Sequence, residues 1–168
     1  DGIRDSVASR GLGDVYKRQV IYSSSGVGNL TDSQIYQQVE WLNEAFAGHE
    51  FYFTLEVIDR TVNNDWFNDM YDTYDAAAKQ ALYFDPYHHM NVYSASLWQD
   101  GVGGYAYLPN SWPQGSYMHG IVVDYRSLPY YDNGSGDTGV HEVGHYLGSV
   151  SYTHLRAHET LRYLVCRL

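Results

Sequence analysis

The run His141-Glu142-Val143-Gly144-His145 sets two imidazoles four residues apart, with a carboxylate beside the first. On an α-helix, residues i and i+4 share a face, so His141 and His145 can aim at a single metal ion. Zinc suits such donors, because imidazole nitrogen is among its preferred ligands. Glu142 sits one position past the first histidine, beside the metal and not on it, from where it can take a proton from a water activated there.

Eight His and six Glu occur in the 168 residues. An H-E-x-x-H match would then arise by chance in roughly 1% of such chains, so the flanking residues must decide the reading. Val143, Tyr146 and Leu147 give the helix an apolar side, and Gly148 suits a left-handed helix end. A purely structural amphipathic helix requires the apolar side but not the two histidines and the glutamate. Gly148 also falls where one class of zinc protease turns to bring in a third histidine three residues later, but that position is Ser151.

The elements that must position this helix are legible in outline. Val20-Ile21-Tyr22 reads as the tail of a strand and Ser23 to Asn29 as a loop. Thr31 and Gln34 form the T-x-x-Q pattern of a helix start, followed by Ile35, Val39, Leu42 and Phe46 at helical spacing. Phe51, Phe53, Leu55 and Val57 alternate with polar residues and Tyr52, as in a half-buried strand, and a loop is expected over 59–70. A short helix over 71–83, a strand from His89 to Leu97, an edge strand over Tyr105–Pro109 and a strand over Gly120–Tyr125 follow. Asp137 or Thr138 is the expected cap of the last helix. The order implies an α/β fold, or α+β, with helices packed on a sheet and the histidines in a cleft beside it. An edge strand next to that cleft could hold an extended peptide by main-chain hydrogen bonds.

Charge is unevenly distributed. Residues 20–150 carry three basic residues (Arg60, Lys79 and Arg126) against sixteen acidic ones, a net of −13, whereas both ends are net basic. Residues 1–19 and 151–168 resemble translated adapter or vector read-through, and are expected to be a non-native leader and tail around a truncated catalytic domain over 20–150. The acidic, aromatic middle lacks a basic patch and argues against a nucleic-acid partner. No run of eighteen or more apolar residues is available to span a membrane. A signal peptide is not visible, and an acidic surface rich in Tyr, Ser and Asn suits an exported protein. Cys166 lies in the presumed tail and carries no information about redox compartment.

Residues 20–150 resemble the pappalysin/ulilysin-like metzincin zinc endopeptidases. The matching stretches are Leu30 to Ile35 with Val39, Leu42 to Phe46, Met90 to Tyr93, Gly103 to Pro109, Gly120 to Val123, and Gly136 to Val140 leading into the helix motif. The resemblance implies a secreted zinc endopeptidase with a twisted mixed sheet, a backing helix and an active-site zinc helix in its N-terminal subdomain. It implies His141 and His145 as zinc ligands and Glu142 as general base, acting on a protein or peptide substrate. The family's third histidine has no match at Ser151, so the fragment is expected to be inactive. The family's methionine turn would follow the zinc helix, and a calcium requirement is possible in the family but not readable here.

Other readings compete. A thermolysin-like site would need a later Glu, and Glu159 is close for that arrangement. A non-catalytic module binding carbohydrate or peptide could use Tyr105, Tyr107, Tyr130, Tyr131, Trp66, Trp98 and Trp112. His88, His89 and His119 are expected to be structural, and Asp69, Asp72 and Asp75 to mark a solvated helix start.

Overall fold

The computed structural model describes residues 13–49, 51–129 and 136–148. Five strands, β1 (Gly13–Tyr22), β2 (Tyr52–Val62), β3 (His89–Ala95), β4 (Gly104–Ala106) and β5 (Ile121–Asp124), form one sheet in the order β2-β1-β3-β5-β4. All neighbours run parallel except β4, which is antiparallel to β5 and forms an edge. Helices α1 (Asp32–Ala45) and α4 (Asp137–Tyr146) cover one face, and α2 (Asn64–Asn68) and α3 (Asp75–Leu82) the other. The architecture is the expected α/β fold. Burial on both faces follows from parallel pairing, and β3 shows it: every residue after His89 is buried.

Local chemistry accounts for most element boundaries. Thr31 caps α1: its hydroxyl accepts from the Gln34 amide at 3.3 Å, and the Gln34 side chain accepts from the Thr31 amide at 3.0 Å. Ile35, Val39 and Leu42 then pack with Val92, Ile121, Val123 and Val143 in one core, while Phe67, Met70, Ala78, Tyr93 and Val122 build the other.

β2 departs from expectation in length and facing. It extends to Val62, into the expected loop, and α2 follows with Asn63 as its cap. The alternation is broken because pairing with β1 jumps from Leu55 opposite Tyr16 to Val57 opposite Lys17. That bulge flips the faces: Phe53 and Leu55 point inward before it, Ile58 joins the core after it, and Val57 is left exposed.

β1 begins at Gly13, so the strand expected as a tail over Val20–Tyr22 extends into the presumed leader. There Arg18 is fully buried on the α1 face with Tyr16 and Val20. One guanidinium nitrogen, Nη1, donates to the Tyr16 hydroxyl at 3.1 Å, but Nε and Nη2 have no hydrogen-bond partner among the described residues.

Candidate active site

α4 carries the motif. Gly136, at φ +71°, precedes it in place of the expected Asp137 or Thr138 cap. The reason is crowding. A Cβ at Gly136 would lie 2.0 Å from the Trp41 ring, and one at Gly139 would lie 2.8 Å from the Gln38 amide group, so α4 sits directly on α1. Gln38 Nε2 donates to the Gly136 carbonyl at 3.1 Å. At the other end Gly148 adopts φ +92°, the expected left-handed conformation.

His141 and His145 lie together on one face of the helix, with ring centroids 4.8 Å apart and planes at 83°. Both are partly exposed. Burial, and then the neighbouring His145, pull the His141 imidazole down to about 4, which keeps it neutral and able to ligate a metal. Glu142 is buried at 3% exposure, and burial pushes its carboxyl up to about 8. Val143 lies in the core behind it. Position 151 and any methionine turn lie outside the described residues, as do Glu159, Tyr130 and Tyr131.

β4 frames Glu142 from the sheet side. A Cβ at Gly104 would come within 2.9 Å of Glu142 Cγ and of Thr138 Cγ2, so only glycine allows this approach. The Asp124 amide donates to the Gly103 carbonyl at 2.7 Å. Alternation then makes Tyr105 the next residue bonded inward to β5 and turns the main-chain groups of Gly104 and Ala106 to the free edge. Beyond β4, Leu108, Pro109, Asn110, Ser111 and Gly148 line an open cavity of about 300 Å³ at the end of α4.

Behind β4 is a polar cluster that sequence reading missed. Asp75 is buried at 8% exposure rather than solvated, and pairs with the fully buried Lys79 at 3.0 Å. The Tyr105 and Tyr107 hydroxyls both donate to the Asp75 carboxylate, at 2.7 and 3.0 Å. Lys79 Nζ also donates to the Met118 carbonyl at 3.3 Å and lies 4.6 Å from the Tyr107 ring centroid. Burial lowers the Lys79 ammonium from its ordinary range while Asp75 opposes that shift, and burial with Asp75 pushes the Tyr107 phenol up to about 12. The i, i+4 spacing of Asp75 and Lys79 was the only signal in the sequence. Of the remaining candidates, Trp112 packs edge-on against Tyr107 with ring centroids 5.9 Å apart, whereas Trp66 packs on the second core and Trp98 lies against Arg126. His88 bonds Asp85 and His89 bonds Glu56, both at 2.7 Å, and His119 bonds the Pro113 carbonyl.

No protein-family model matches the chain. It is 36% identical over 138 residues to an extracellular metalloprotease of Verticillium alfalfae, covering 77% of this chain and 48% of that protein. An extracellular metalloprotease of Pyricularia oryzae is likewise 36% identical, over 80% of this chain and 48% of its own length. The chain thus spans about half the length of the curated relatives it matches. Among solved structures, mature mirolysin of Tannerella forsythia in complex with a cleaved peptide superposes with a TM-score of 0.67 at 23% identity, over 83% of this chain and 64% of that one.

Fold and relatives place the chain among the extracellular metalloproteases. Within that class its fold is similar to that of mirolysin. No helix among the described residues is long and apolar enough to cross a membrane.

Proposed function

We propose that the full-length protein is a secreted zinc endopeptidase in which His141 and His145 ligate the metal and Glu142 is the general base. One observation carries this reading: α4 presents two imidazoles in ring contact and a buried carboxylate between them in sequence, beside the strand that ends the sheet among the described residues. A neutral His141 fits a zinc ligand. Zinc, when bound, supplies Lewis acidity to such a site.

The chain's own residues supply the rest. Glu142, as the carboxylate, accepts a proton from the attacking water and returns it to the leaving amine. The main-chain groups of half-buried Ala106, on the outer side of β4, hold an extended peptide in register with that carboxylate. Half-buried Tyr105 and Tyr107 direct their hydroxyls to Asp75 and not to solvent, which favours the protease over an aromatic binding module.

In this reading residues 20–150 are the N-terminal part of the catalytic domain, and 1–19 and 151–168 are foreign to it. The unpartnered guanidinium nitrogens of Arg18 support the first boundary, since a central strand ordinarily carries an apolar residue there. With Ser151 in place of the third histidine, the 168-residue chain binds zinc weakly and does not cleave peptides. Stoichiometric zinc retained after dialysis, measured by elemental analysis, would contradict this. For the full-length protein the test is Glu142→Gln, which should keep zinc and abolish turnover. Peptidase activity surviving in that variant would overturn the assignment.

A further inference from the structure

The two faces of β4 are built differently, and the difference has a use. Toward α4 it presents Gly104 and Ala106, small enough for Glu142 to pack against the strand. Toward α3 it presents Tyr105, followed just past its end by Tyr107, and both hydroxyls converge on the single carboxylate of Asp75. Only three residues pair β4 to the sheet, and among the described residues no strand pairs with its other edge. A three-residue edge strand has few ladder bonds to fix its position. Hydrogen bonds to a charged acceptor are stronger than neutral ones, and two of them tie β4 to α3. Asp75 is itself fixed by Lys79, which a third segment holds through the Met118 carbonyl.

We propose that Asp75 and Lys79 are positioning residues for peptide hydrolysis, holding β4 through Tyr105 and Tyr107 at the distance from Glu142 that a bound peptide requires. The inference rests on the protease reading above and adds a role for four residues outside the His141-Glu142-His145 motif. A merely structural network would protect the fold without tuning how a long peptide docks. A positioning network ties peptide affinity to the two phenol hydroxyls.

The test is the double variant Tyr105→Phe/Tyr107→Phe, which removes both tethers and leaves the Asp75–Lys79 pair intact. In the full-length enzyme, KM for a peptide long enough to lie along β4 should rise about tenfold. kcat/KM for a substrate too short to reach that strand should change less than about twofold, and zinc content should not change. In the chain itself, hydrogen exchange of the Tyr105 amide should accelerate at least about tenfold while that of Val92, in the sheet centre, stays slow. Equal kinetic losses on long and short substrates, or unaltered kinetics on both, would overturn the inference, as would unchanged Tyr105 exchange. Lack of zinc-dependent cleavage by the unaltered full-length protein would instead overturn the protease reading. The role in hydrolysis would fall with it, while accelerated Tyr105 exchange would still show the tether. Should the double variant fold poorly, Tyr107→Phe alone should raise KM for the long peptide about threefold, and no rise would count against the proposal.

Discussion

Lys79 and Arg18 are both cations with no exposed surface, one on each side of the same sheet, and their surroundings have almost nothing in common. Lys79 has a carboxylate at 3.0 Å, a main-chain carbonyl and the faces of two tyrosines. Arg18 has one phenol oxygen, and two of its nitrogens have no acceptor among the described residues. Burying an ion costs several kcal/mol unless partners replace water, so the first arrangement is a built site and the second a burden on the fold. The contrast follows the domain boundaries proposed above: Lys79 lies inside the presumed native stretch and Arg18 outside it.

The largest effect should come from breaking the better-built side. Asp75→Ala leaves Lys79 as an uncompensated buried charge and should lower unfolding stability by about 3–5 kcal/mol in urea titration. A loss under about 1 kcal/mol would mean that Lys79 escapes to water and that the pair is not the anchor described.

Glu142 extends the comparison to a buried group whose charge is opposed by burial alone. Its carboxyl is raised in the folded chain to about 8 from an ordinary 4.5, so the folded state binds the extra proton. Its contribution to stability is therefore full below pH 4.5 and is lost as pH rises toward 8. Across that window the metal-free chain should lose on the order of 4 kcal/mol from this group, and Glu142→Gln should flatten the slope. A profile that keeps its slope in the variant would assign the pH dependence elsewhere.

Repairing the poorer side should work in the opposite direction. Arg18→Leu should raise stability by roughly 2 kcal/mol, seen as a higher denaturation midpoint. If it destabilises the chain, Arg18 has partners in solution that justify its burial, and the argument for a foreign leader weakens. The smallest change expected is Gly104→Ala. Its new methyl must displace Glu142 and Thr138 side-chain carbons, at a cost of about 1 kcal/mol by thermal unfolding. A neutral or stabilising result would show that β4 and α4 are not in tight contact.

Much of this was legible in the residues, and what was not has identifiable causes. The cap at Thr31, the helical spacing of Ile35 and Leu42 and the left-handed Gly148 each rest on neighbours within a few residues, and each is found. The facing of Val57 was not, because the bulge opposite Tyr16 and Lys17 belongs to the pairing of two strands and leaves no mark on either. The cap of α4 was misplaced for a similar reason: Trp41, far off in sequence, occupies the space a side chain at position 136 would need. Asp75 reads as solvated because its partners at 105 and 107 arrive only when β4 is folded beside α3.

By itself the sequence determined the helix that carries His141, Glu142 and His145 and its kinship, because a four-residue spacing on a helix is a local property that survives without its surroundings. The tertiary structure alone decided that Glu142 is buried against a glycine on an edge strand, and that the same strand is tied from behind to a buried ion pair. Those relations depend on burial and on contacts between distant segments, and local pattern carries no record of either.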